Sequence, residues 1–345
     1  MIEIQSNQLV VSFPELPLQP RIDISLQRTL RIPDDGRNYP LPPGLELFPL
    51  RHIDDYASKV PAKWLNRGGV LLPMWQSEAL WVSFNSSHMS NRDAQYPFAI
   101  KIATGKINAV SGEKWRNGLG RNPQDYMVAP GQPWLDGYCV EKGIIRQFVA
   151  APLGEGCSVE EQLTGEAEFG GMQIEVFPMR SEVFEKRFPA IQKHLIEERV
   201  ILAKELYELC QSPGCREMGL GAGGRMRQEI YQDPFSIHDW DTEHSSRCFL
   251  HLVNSSAWLS ITGEMPPTRP IPAWQYAAHG MPWFDYYDAE LKALEGSATL
   301  AKVKSVNEIK KEKRAEPLSD NQSVSINKMV KLKPSRKVRE SDFSQ

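Results

Sequence analysis

Residues 22 to 32, IDISLQRTLRI, restrict the fold of this chain more than any other stretch. Ile22, Ile24, Leu26, Leu30 and Ile32 alternate with polar residues. Side chains at alternate positions of a strand point to one face, so this is the pattern of a half-buried strand. Similar short apolar runs recur at Ala79–Phe84, Phe98–Ile102, Ile107–Val110, Tyr138–Val140, Ile144–Ala150 and Met172–Phe177. Between several of them stand tight glycine turns, Thr104-Gly105-Lys106 and Glu141-Lys142-Gly143. Runs joined in this way predict hairpins. The 26 prolines and 24 glycines are spread along the 345 residues and favour many turns over a helical bundle.

A different periodicity occupies residues 190 to 210. Ile191, Leu195, Leu202, Leu206 and Leu209 recur at helical spacing, and Pro213-Gly214 follows as a stop. This predicts a central amphipathic helix. A second, short helix is expected over Tyr287–Leu294, ending near Gly296.

Two segments echo each other. FAIKIATGKINAVSGE (98–113) and FLHLVNSSAWLSITGE (249–264) have equal length, begin with Phe and end in Ser/Thr-Gly-Glu. They read as a tandem duplication, the alternative being two ordinary hairpins of the same length. The expected fold is therefore α+β and β-rich, with two related strand-rich halves around the central helix. The corresponding divisions are 1–180, 181–212, 213–309 and 310–345. The last division carries ten Lys/Arg against five Asp/Glu and few aromatics, which predicts a disordered basic tail.

Hydrophobic residues make up 41% and charged residues 24%, enough apolar material for a large core without staples. No apolar run approaches the length of a membrane span. The first residues show no secretory signal, and the five cysteines (139, 157, 210, 215, 248) form no framework or zinc-ribbon pattern. A cytoplasmic setting with free thiols is the expectation.

Few residues speak of chemistry. HDWDTEHSSRCFLH (238–251) crowds potential metal ligands together, with His238, Asp241 and His244 as the candidate set. Strand alternation separates Cys248 from His251, and the remaining spacing matches no regular metal motif. A solvated acidic loop is the competing interpretation. Cys139 is a candidate nucleophile, although no histidine stands near it in sequence. Glu166, among the five glutamates of 154–171, is a candidate acid–base group. GLGAGGR (219–225) has the wrong order for a phosphate loop, because it precedes a strand rather than a helix, and it reads as a turn needing positive φ. Arg225 leaves room for anion or partner binding. Trp134 and Trp283, the latter within GMPWFDYYD, are candidate aromatic anchors for a partner.

The phrases PWLDGYCVEKGIIRQFVAAPLG, LTGEAEFGGMQIEVFPM and GMPWFDYYD resemble those of an uncharacterised family of soluble bacterial and fungal proteins, over roughly residues 20–300. That resemblance implies no known reaction, fold or ligand. The leading expectation is a non-enzymatic binding or scaffold protein with an unknown protein partner. No cofactor is expected, and nucleic acid would be met only through the basic tail. The alternatives are a hydrolase or transferase using Cys139 or Glu166, and a metal-dependent protein using the 238–244 loop.

Overall fold

The computed structural model describes residues 1–87, 94–189, 217–313 and 321–332. The expected central helix at 190–210 lies outside them. Strands predominate. The first are β1 (Ile2–Gln5), β2 (Gln8–Ser12), β3 (Arg21–Thr29), β4 (Asn38–Tyr39), β5 (Gly44–Leu47) and β6 (Arg51–His52). Helix α1 (Ala62–Arg67) precedes β7 (Val70–Met74), β8 (Ala79–Ser86), β9 (Phe98–Thr104), β10 (Ile107–Asn108), β11 (Met127–Ala129) and β12 (Trp134–Leu135). Then come β13 (Gly137–Glu141), β14 (Ile144–Pro152), α2 (Val159–Thr164), β15 (Met172–Pro178) and α3 (Ser181–Arg187). Beyond 216 follow β16 (Glu217–Arg227), β17 (Ser246–Asn254), α4 (Ser255–Thr262), α5 (Ala273–Ala278), β18 (Trp283–Tyr286), α6 (Val306–Glu312) and β19 (Met329–Leu332).

The expected strands form with small changes at their ends, and both glycine turns close hairpins, β9–β10 and β13–β14. Seventeen strands join one sheet. β1, β2, β3 and β8 run antiparallel in succession. β8 continues to β14 and β12, and β14 to β13 and β16. β16 touches β17 over two residues, and β17 pairs with β15 and, in parallel, with β7. β15 leads on to β9, which holds β10 and β11.

The sheet surrounds one main core to which nearly every long strand contributes, with Ile22, Ile24, Leu26, Ile100, Ile102, Phe148 and Leu250 all buried. Its outer face is covered locally by helices. On β14, Phe148 and Ala150 face the main core, whereas Val149 and Ala151 pack with Val306 and Ile309 of α6. On β17, Leu250 and Leu252 face inward and Val253 packs outward against Trp258 and Ile261 of α4. Burial on both faces explains why these strands read as nearly continuous apolar runs.

Four expectations are corrected. First, the echo is not a pair of matching hairpins, and the duplication is not confirmed. Residues 249–254 continue β17, but Asn254 caps a helix, its side chain accepting from the Ser256 N–H. Ala257, Trp258 and Ile261 then fall on one buried helical face, and Gly263 ends the helix at φ 79°. The second segment therefore turns into a helix at Asn254, where a hairpin would need a turn. Strands from both sides of 190–216 alternate through the one sheet in the β14–β16, β15–β17 and β7–β17 pairs.

Second, the glycine run is not a turn. Gly219, Gly221, Gly223 and Gly224 lie within β16, and none has positive φ. Their lack of side chains permits close packing instead. A Cβ on Gly221 would meet the Cys157 carbonyl oxygen and Val306 Cγ2, each at 2.5 Å. Third, Tyr287–Leu294 is not helical. The Asp288 side chain accepts from the Glu290 N–H, and Ala293 bridges to Tyr231. Fourth, the segment from 310 is structured where it is described. Residues 310–312 complete α6, Val324 is buried, and β19 pairs in parallel with β18. Asn321 and Ser323 anchor it, bonding to the Asp34 backbone and to Asp35 Oδ2. Residues 314–320 and 333–345 lie outside the described set.

Candidate ligand pocket

Cys139 sits on β13 in the wall of a polar cavity of about 540 Å³ shared with Ser111, Arg121, Asp233 and Ser297. The thiol is 2% exposed, and burial pushes it up to about 12. It has no histidine partner among the described residues, so nothing present generates a thiolate. Of the three acids lining this cleft, Glu113, Asp233 and Glu295, the buried one, Asp233, is committed to the fold. Asp233 accepts from the Tyr126 hydroxyl at 2.6 Å and the Trp240 indole at 2.9 Å. Glu166 is exposed in the loop after α2 and is not one of the residues around this cleft.

The candidate metal loop is held by its own hydrogen bonds. Asp241 Oδ1 accepts the backbone N–H groups of Glu243 and His244, and Oδ2 lies 2.9 Å from His244 Nδ1. That hydrogen bond raises the His244 imidazole, while burial of the Asp241 carboxyl is outweighed by its bonds to His244, leaving it lowered. His238 stands apart and exposed in the turn Ile237–Asp239. Among the described residues no three potential ligands converge. Alternation does separate the two downstream candidates. Cys248 belongs to the main core, whereas His251 stacks on Trp64 at 4.8 Å and bonds to the Gly68 carbonyl.

Of the candidate anchors, Trp283 is fully buried beside Tyr39 and Tyr276 and serves the core. Arg225 joins strands, pairing with Glu141 at 2.8 Å and donating to Asn38 Oδ1 at 3.0 Å. Trp134 differs. It is half-buried, 4.9 Å from the Tyr286 ring and edge-on to Trp81 at 6.2 Å.

Trp134 and Trp81 form two walls of a cavity of about 280 Å³, completed by Leu41, Pro42, Pro43, Gly44, Phe284, Leu332 and Asp136. The backbone places these residues simply. Trp81 and Trp134 face each other because β12 pairs with β8, with Leu135 opposite Val82. Phe284 enters through its backbone bonds to Leu41, and Leu332 through the pairing of β19 with β18. In β18, Trp283 is turned into the core while its neighbour Phe284 joins the pocket, as strand alternation requires.

Asp136 is the unusual member. It is 2% exposed, and among the described residues no cation stands against it. Burial pushes its carboxyl up to about 7, against hydrogen bonds from the Gln228 amide, at 2.8 Å, and the Trp134 indole, which lower it. The Trp81 indole N–H is also buried and has no acceptor among the described residues. The wall thus joins flat aromatic faces, one proton-poised acid and one unused donor. Sequence reading found Trp134 but passed over Trp81, Phe284 and Asp136. The available signal was an acid inside the apolar strand sequence WLDGYCV, since a buried carboxyl needs a reason. No family model matches this chain, and no curated protein and no solved structure matches it significantly.

Proposed function

We propose that this chain is a binding protein whose pocket at Trp81, Trp134 and Phe284 takes a small organic cation of alkylammonium size. The single observation behind this is the pairing of aromatic walls with the buried, uncompensated Asp136 carboxyl. Aromatic faces attract cations, by about 2 kcal/mol when water is excluded. A buried carboxylate without a counter-charge is costly, and a cation supplies one. The cavity of about 280 Å³ suits a head group rather than a large metabolite. The buried Trp81 N–H favours a ligand that carries an acceptor oxygen near its charge.

The head group is either free or borne on a lysine side chain of a protein partner. Titration calorimetry with tetramethylammonium and with a trimethyl-lysine peptide separates these sources. Binding of either, weakened at least roughly tenfold in Asp136→Asn and in Trp134→Ala, is the expected result. Equal binding of neopentyl alcohol, an uncharged analogue of similar shape, would overturn the proposal.

A further inference from the structure

We infer a second site, for an anion carried on an aromatic ring, in the cavity between Arg67, Lys106, Phe169, Gln173, Arg247 and Phe249. It shares no residue with the cation pocket. Four separate parts of the fold build it. Arg67 ends α1, Lys106 occupies the β9–β10 turn, Phe169 lies in the loop between α2 and β15, and Gln173, Arg247 and Phe249 stand on the paired strands β15 and β17.

The charge balance of this wall is one-sided. All three ionisable groups that face the cavity are cations. Arg67 donates to the carbonyls of Phe169 at 3.0 Å and Glu168 at 3.2 Å, and its guanidinium lies 4.7 Å from the Phe169 ring and 5.6 Å from that of Phe249. Lys106 Nζ sits 3.9 Å over Phe169. Carbonyls and ring faces orient these two cations without neutralising them. Of the acids behind the wall, Glu160 is held by backbone N–H groups and Glu175 is the counter-ion of Arg247, so of the three cations only Arg67 and Lys106 lack a carboxylate partner at ion-pair distance among the described residues. Glu160 accepts the N–H groups of Phe169 and Gly170, at 3.1 and 2.8 Å. Glu175 pairs with Arg247 at 2.8 Å and accepts from Ser245.

Arg and Lys held without counter-ions at one cavity form a ready receptor for a carboxylate or phosphate. The Phe169 and Phe249 rings supply flat apolar surface beside them. The cavity, about 210 Å³, admits one six-membered ring with its charged head. An aryl phosphate or aryl carboxylate therefore fits better than a bare inorganic anion, which leaves the rings unused, or a neutral aromatic, which leaves the cations unpaired.

Titration calorimetry on the full chain at low salt tests this with phenyl phosphate, inorganic phosphate and benzyl alcohol. The expected result is one equivalent of phenyl phosphate with a dissociation constant below about 1 mM. Inorganic phosphate should bind at least roughly tenfold more weakly, and benzyl alcohol not measurably. Lys106→Glu should weaken phenyl phosphate at least roughly tenfold, with its near-ultraviolet circular dichroism unchanged because Lys106 is exposed in a turn. Arg247→Gln provides a second variant and should also weaken it. Absence of binding at about 10 mM, equal affinity for inorganic phosphate, or unchanged affinity in both variants would each overturn the inference.

Discussion

Replacing Asp136 by asparagine should alter how stability depends on pH. In the unfolded chain this carboxyl titrates near its ordinary 3.8, and in the folded protein burial pushes it up to about 7. Below pH 3.8 both states hold the proton and the group costs nothing. Between these values the unfolded chain releases the proton while the folded protein keeps it, so stability falls as pH rises. Above about 7 both are ionised and the loss is complete. At about 1.4 kcal/mol per pH unit, the interval amounts to about 4 kcal/mol. Asp136 is 2% exposed, so solvent screens little of this. Asparagine removes the titration but sets its amide nitrogen against one of the two donors, Gln228 or Trp134, a pH-independent cost of about 1–3 kcal/mol. Urea unfolding of both proteins across pH 4 to 8, assigned on the same steps, should show the variant gaining on the native protein by up to about 4 kcal/mol as pH rises. A difference that stays flat across this range would refute the reasoning, because it would mean that the carboxyl remains ionised in its wall.

His251 acts in the opposite sense. Burial lowers its imidazole to about 4, so the folded protein should lose stability as pH falls from about 6.5 toward 4, and His251→Gln should flatten that acid limb in the same urea series. Lys101 is buried with Asp125 at 2.8 Å and donates to the carbonyls of Arg116 and Gly118. Lys101→Met should destabilise by about 3–5 kcal/mol, and adding Asp125→Asn should restore part of that loss in a double-mutant cycle. Gly221→Ala places a methyl group against the Cys157 carbonyl and Val306, and should cost about 1–3 kcal/mol in thermal or urea unfolding. Deleting residues 321–332 uncovers the edge of β18 and removes Leu332 from the cation pocket. Tetramethylammonium should then dissociate faster, as measured by stopped-flow tryptophan fluorescence.

The strands were legible because alternation and glycine turns act locally. Ile22 to Ile32 and the β13–β14 hairpin need only their own residues to be recognised. What was hidden depends on distant partners. The glycines of β16 read as a turn because the neighbours that crowd them, such as the Cys157 carbonyl and Val306 at Gly221 and the Pro33 carbonyl at Gly224, are far away in sequence. Asn-Ser-Ser at 254–256 suits a turn or an N-cap, and only the burial of Trp258 against Leu71 and Val253 selects the helix. The pocket was half legible. Trp134 announced itself, but in GMPWFDYYD the larger ring, Trp283, drew attention from Phe284, and one residue of register decides which of them meets the cavity.

The parallel pairing of β18 with β19 also has a consequence in time. Contacts that close this part of the molecule join its far ends: the Val324 N–H reaches the Tyr39 hydroxyl across 285 residues, and Asn321 meets Asp34 across 287. Contacts of such sequence separation form late, since chain entropy must be overcome before they reward it. During synthesis, β3 and β8 have both left the ribosome, so their side of the sheet can pair, while Leu332 is still untranslated. The proposed cation pocket is therefore completed only after the strand at 329–332 has emerged and docked, and a nascent chain should gain affinity for tetramethylammonium only then.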